Sequence, residues 1–322
     1  MTAALRARGG PQASAIALAV GGAFSVQTGA AVAVLLFPLA GALGVLSLRL
    51  GVAALVLLLL FRPSTRARSR ADWAVVAGFG ICLAGMNGLF YQALERIPLG
   101  AAVTLEILGP LTLSVVAARR ASAWLWAGLG LAGVALLGRS ELGAADPVGV
   151  AFALGAGVMW AAYIVLSQQA GRRFAGGDGL ALAMTAAAAL TLPLGVAQAG
   201  ITLLEPRILA LGAVVGLLSA TLPYTLELMA LRRLRAETFA VLQSLQPAVA
   251  ALVGFVVLGQ ALDALGVMAV ALVVAASAGA VRAAARRARR PGAVEGRAIT
   301  GSSSTGGGSS STAGGASAAV RR

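Results

Sequence analysis

The chain has 322 residues, 59% of them apolar and 11% charged, with a mean hydropathy of +0.90. That balance lies outside the range of soluble domains and calls for a lipid solvent. The net charge of +14 rests on 25 basic residues, all arginine, against 11 acidic ones. No nucleic-acid-binding module accompanies this charge, and its spread over separate loops suits an anionic leaflet rather than DNA.

In chain order, residues 1–12 form a short N-terminal segment with Arg6 and Arg8. The apolar run at 13–37 is longer than the roughly 7–15 residues of a secretory signal core, so it predicts a first membrane span. Spans follow at 41–61, 73–94 and 99–118, with a short one at 121–138. After a loop, further spans are predicted at 147–169, 179–199, 207–229, 236–258 and 264–284. At 1.5 Å per residue, about 20 residues cross a ~30 Å hydrocarbon core. Helix-length continuous runs predict an all-α integral membrane bundle of ten transmembrane helices and not a barrel. Residues 285–322 turn basic and then Gly/Ser-rich, the composition of a disordered cytoplasmic tail.

Charge sets the orientation. With the N-terminus in the cytoplasm, inside segments hold Arg62, Arg66, Arg68 and Arg70, then Arg119 and Arg120, then Arg172 and Arg173. They also hold Arg232, Arg233 and Arg235 and the arginines of the C-terminal tail. Outside loops keep only Arg96, Arg139 and Arg207. This is the positive-inside bias, and it predicts that both termini are cytoplasmic.

The halves resemble each other at an offset of about 137 residues. Ala93, Leu94, Arg96, Leu105, Leu108 and Pro110 correspond to Ala230, Leu231, Arg233, Leu242, Leu245 and Pro247. Ala17, Leu18 and Gly21 correspond to Ala153, Leu154 and Gly157. Two repeats follow, 13–138 and 147–284, of five spans each. An odd count forces the second into the membrane upside down, an arrangement that places a substrate site near the midplane.

Charged residues inside spans are Arg49, Glu106 and Glu227. Each costs about 2.5–3.5 kcal/mol at a helix centre on insertion scales, so each should face protein or water. Pro110 lies four residues after Glu106 and frees the Glu106 carbonyl, and Pro247 does the same for Gln243. Each half thus presents a polar side chain beside an unpaired backbone acceptor. Two readings of Glu106 and Arg49 stay open, a buried structural ion pair and direct contact with substrate or a proton. Glu227 sits near the cytoplasmic end of its span, where a plain interfacial role is also open. Gln27, Asn87, Tyr91, Trp160, Tyr163, Tyr224 and Gln246 are further polar or amphipathic residues within spans, suited to interhelical hydrogen bonds or cavity lining.

Enzyme chemistry finds no footing. With no histidine and one cysteine, Cys82, there is no metal cluster, disulfide or resident cofactor to expect. Gly128, Gly130 and Gly133 fit a G-x-G-x-x-G string, but inside an apolar span with no preceding strand, where close helix packing explains them.

Several runs carry a family likeness. They are Leu36 to Ala42 (LFPLAGA), Gly85 to Tyr91 (GMNGLFY) and Ile97 to Pro110 (IPLGAAVTLEILGP). In the second half they are Ala153 to Tyr163 (ALGAGVMWAAY) and Leu222 to Ala230 (LPYTLELMA). In these the chain resembles the EamA-type members of the drug/metabolite transporter superfamily, in particular bacterial inner-membrane exporters of threonine and homoserine. The resemblance implies a ten-helix fold of two EamA repeats that exports small metabolites, with proton coupling. It implies an amino-acid substrate, with Glu106 as cation partner or proton site and Arg49 as anion partner or counterion. Asn87, Tyr91, Trp160, Tyr163 and Gln243 would line the cavity. The arginine-rich loops and the Gly/Ser tail are not part of the family pattern. Two alternatives stand beside this expectation: an EamA-type exporter of another metabolite or drug, such as an aromatic amino acid or a nucleobase, and a non-transporting membrane subunit or sensor.

Overall fold

The structure is a computed structural model that describes residues 2–66, 68–118, 121–137, 146–223, 226, 229, 242–261 and 263–288. Glu227 and Tyr224 lie outside the described residues, as does nearly all of the 285–322 tail. The chain divides into two units, Met1–Ala285 and Arg286–Arg322, and everything below concerns the first. Among the described residues the secondary structure is entirely helical.

The helices are α1 (Thr2–Phe61), α2 (Arg70–Leu94), α3 (Leu99–Glu106), α4 (Leu108–Ala118) and α5 (Ala121–Leu137). They continue as α6 (Pro147–Arg173), α7 (Asp178–Ala199), α8 (Pro206–Gly216), α9 (Gln246–Leu258) and α10 (Ala264–Ala288). Five stretches are long and apolar enough to cross a membrane: Ser14–Phe61, Arg70–Leu94, Pro147–Arg173, Asp178–Leu204 and Ala264–Ala283. Four shorter apolar helices accompany them, at Leu99–Leu113, Trp124–Leu136, Pro206–Ser219 and Gln246–Leu258.

The first of these, at 48 residues, is about twice the length one crossing needs. Gly41 divides it. Its φ of 68° and ψ of 163° belong to a region essentially restricted to glycine. The two arms then run side by side, since Gly29 in the first abuts Ser219 and Val52 in the second abuts Gly216, one turn away. A new helix start needs partners for its free amides. Glu95 Oε1 accepts the Ala42 N–H at 3.1 Å, and Gln198 Oε1 accepts the Leu43 N–H at 2.7 Å. Side chains from α7 and from the end of α2 thereby cap the second arm.

Small residues set the helix spacing. Gly80 on α2 lies against Ala183 and Ala186 of α7, and Gly100 on α3 against Ala251 of α9. Without side chains between them backbones approach closely, which is how helices associate in lipid. The G-x-G-x-x-G string serves the same end: Gly130 meets Leu111 of α4, and Gly133 meets Val273 and the Ala269 carbonyl of α10. Cys82 is buried and free.

Ion pairs clamp both ends of the bundle. At one end Arg173 reaches Asp72 at 3.1 Å and Arg68 reaches Asp178 at 3.5 Å, with the Arg68 guanidinium 4.7 Å from the Phe174 ring centre. Ser69 and Asp72 there form a reciprocal cap on α2. Hydrogen bonds from Ser69, then from Arg173, hold the half-buried Asp72 carboxyl below the ordinary aspartate value. At the other end Arg96 pairs with Asp146 at 3.5 Å, and Gln260 accepts the Leu99 N–H at 3.0 Å.

Candidate functional site

Three helices are interrupted at comparable places. Between α3 and α4 the helix breaks at Ile107, three residues before Pro110. Ahead of α9 it breaks at Ser244 and Leu245, just before Pro247. After α8 the chain loosens into a π-turn at Leu217–Thr221, followed by Pro223. Each proline frees the carbonyl four residues earlier, those of Glu106, Gln243 and Ser219. All three of those residues line one cavity.

The cavity measures about 280 Å³. Both arms of α1 contribute to it, through Gln27 and Arg49, and α2 contributes Asn87. Glu106 comes from α3, Trp160 and Tyr163 from α6, Ser219 from the π-turn, Gln243 from the broken stretch ahead of α9, and Gln246 from the first residue of α9. Apolar wall is supplied by Met86, Phe90, Val103 and Met184, among others. A small concave site with a few convergent polar groups in an apolar lining is the general form of a small-molecule pocket.

Arg49 is held from behind. Its Nη1 donates to Asn87 Oδ1 at 2.6 Å, and its guanidinium carbon lies 5.4 Å from the centre of the Tyr91 ring. Asn87 Nδ2 in turn donates to the Leu83 carbonyl at 2.8 Å, which fixes the amide with its oxygen toward Arg49. Glu106 lines the same cavity as Arg49. Among the described residues, however, no ion pair joins them and the Glu106 carboxylate has no hydrogen-bond partner. Gln27 Nε2 donates to Gln246 Oε1 at 2.6 Å, tying the first arm of α1 to α9.

The Glu106 main chain shows how the site is shaped. A Cβ added to Gly157 on α6 would lie 2.5 Å from the Glu106 carbonyl oxygen, and one added to Gly109 would run into the Gly157 carbonyl. The two glycines let α6 cross the α3–α4 break at near contact. Trp160, one turn beyond Gly157, is thereby carried into the cavity wall.

Of the residues singled out from the sequence, the structure brings Glu106, Arg49, Asn87, Trp160, Tyr163 and Gln243 to this cavity. Tyr91 is not in its lining. One helical turn past Asn87, it is fully buried between Phe37 and Phe90, with ring centres 5.7 and 6.5 Å away, and backs Arg49 instead. The structural ion pair between Glu106 and Arg49, one of the two readings left open, is not formed. Glu227 lies outside the described residues. Ser219 was not singled out from the sequence. The proline rule that marks Glu106 and Gln243 also reaches it from Pro223. Met86, Phe90 and Met184 carry no signal that separates cavity wall from core.

Residues 147–282 match the EamA-like transporter family. The chain is 41% identical over 258 residues to the threonine/homoserine exporter RhtA of Salmonella typhimurium strain LT2, covering 79% of this chain and 87% of that one. It is 40% identical over 258 residues to the protein of the same name from Escherichia coli K12, with the same coverage. A solved crystal structure aligns with a TM-score of 0.53 at 23% identity, covering 87% of this chain and 100% of that one, a likeness of fold.

Proposed function

The chain belongs to the EamA-like transporter family, and from that premise we propose that it is an exporter of small amino acids, threonine and homoserine first. The observation that carries this reading is one polar cavity, built at three helix breaks, that offers an unpaired carboxylate and a braced guanidinium. A zwitterionic amino acid needs a partner for its ammonium and another for its carboxylate. Glu106 serves the first and Arg49 the second, through charge-assisted hydrogen bonds. Asn87 and Tyr91 position Arg49, and Trp160, Tyr163 and Gln243 bound the space left for the side chain. Glu227, which the sequence puts at the cytoplasmic end of its span, belongs to the substrate's path on that side.

The transport cycle we infer is alternating access coupled to protons, with Glu106 as the proton site. With it we propose ten crossings in two inverted repeats, 13–138 and 147–284, and both termini in the cytoplasm of a bacterial inner membrane. Arginine placement and the division of α1 at Gly41 favour that topology. The family match over 147–282 coincides with the second repeat. The polar clamps at both ends of the bundle are what each half-cycle would open and remake.

The deciding measurement is counterflow of labelled threonine in proteoliposomes holding purified protein. Threonine and homoserine should drive it, and nucleobases and cationic drugs should not. Counterflow with such a compound and none with threonine would move the substrate to another class.

A further inference from the structure

A second cavity, again of about 280 Å³, adjoins the first. Trp160 and Gln243 belong to the walls of both. Its remaining wall is apolar apart from Ser244 and Ser277, with Pro110 from α4, Ile164 from α6 and Ala280 from α10. We propose that this chamber is a side-chain subsite, so that the carrier also takes larger aliphatic and aromatic amino acids, with their side chains lodged beyond Trp160. The proposal rests on the amino-acid reading above and extends its substrate class.

The division of chemistry between the two chambers supports it. The charged groups face the first cavity, where an ammonium and a carboxylate find Glu106 and Arg49. The described lining of the second holds no charged residue, so a charged head group gains nothing there and an apolar side chain loses nothing. The wall they share places the apolar space next to the polar one, as an amino acid with a long side chain requires. A threonine side chain is too short to need it.

The test is inhibition of labelled-threonine counterflow by unlabelled alanine, valine, leucine, methionine and phenylalanine. Inhibition should strengthen by roughly fourfold per buried methylene, the equivalent of about 0.8 kcal/mol each. Ala280→Leu, in the second chamber only, narrows it. Threonine counterflow should survive that change, and the leucine concentration giving half-inhibition should rise about tenfold or more. Inhibition that does not grow with side-chain length in the wild type overturns the proposal, as does an unchanged leucine response in Ala280→Leu. If that variant does not accumulate, the wild-type series decides alone, with Ala280→Val as the milder change. Should threonine drive no counterflow, labelled leucine takes its place. Leucine flux sensitive to Ala280→Leu would then uphold the subsite while threonine itself was lost as a substrate.

Discussion

Arg49 donates to Asn87 at 2.6 Å, although an unpaired carboxylate, that of Glu106, borders the same cavity. The choice has a physical consequence. A direct ion pair would spend both charges on each other and would need breaking before either met a ligand. A neutral amide instead holds the guanidinium in place, with most of its five donors left over for a carboxylate. The Leu83 carbonyl locks the amide and the Tyr91 ring backs the cation.

Removing the brace should loosen anion recognition before it harms the fold. Asn87→Leu takes away a hydrogen bond to a charged group, worth about 1.5–3 kcal/mol. The half-saturating threonine concentration in counterflow is expected to rise about tenfold or more. An amino alcohol lacking the carboxylate should respond equally to both proteins. An equal loss for the amino alcohol would mean that Asn87 acts on the cavity as a whole.

Glu106→Gln keeps the shape and removes the charge. Efflux driven by a pH gradient should fall at least tenfold and lose its dependence on that gradient, read as threonine accumulation against a concentration difference. Efflux that stayed the same across a range of pH would eliminate Glu106 as the proton or cation site.

The crossing at Gly157 leaves no room for a methyl group. Gly157→Ala and Gly109→Ala each force α6 away from the α3–α4 break, at a cost of about 1–3 kcal/mol for overpacking. Both should lower the melting temperature in detergent and weaken threonine binding together, because Trp160 moves with α6. Gly128→Ala, where a Cβ meets nothing within 4 Å, is the matched control and should melt as the wild type does.

Asp72, just ahead of the span expected at 73–94, links stability to pH. Its carboxyl is held below the ordinary value of 3.8 by Ser69 and then by Arg173. A lowered carboxyl stabilises the fold above its unfolded value, and the contribution disappears as pH falls through the folded one. Wild type should therefore melt above Asp72→Asn near neutral pH, and the gap should close as the pH drops below about 3.8. A gap that persisted in acid would point to packing by the side chain rather than its charge.

Much of the plan could be read residue by residue. Span lengths, the arginine bias and the carbonyls freed by Pro110 and Pro247 are properties of short stretches of chain, set by transfer into lipid and by the geometry of one helix. They were enough to bring Glu106 and Gln243 forward as partners in one site. The same local rule, carried on to Pro223, would have found Ser219.

Other features depend on which residues meet across hundreds of positions. Asn87 and Tyr91 are one turn apart on α2 and look equivalent in sequence, yet one faces the cavity and the other is sealed behind Arg49. That Arg49 would choose Asn87 over Glu106 follows from how the second arm of α1 is rotated against α2. The partition by Trp160 likewise follows from how closely α6 approaches at Gly157. Composition and periodicity say how far a helix reaches and what it tolerates around it. Its rotation, and the neighbours its side chains find, come from packing against partners that local sequence does not name.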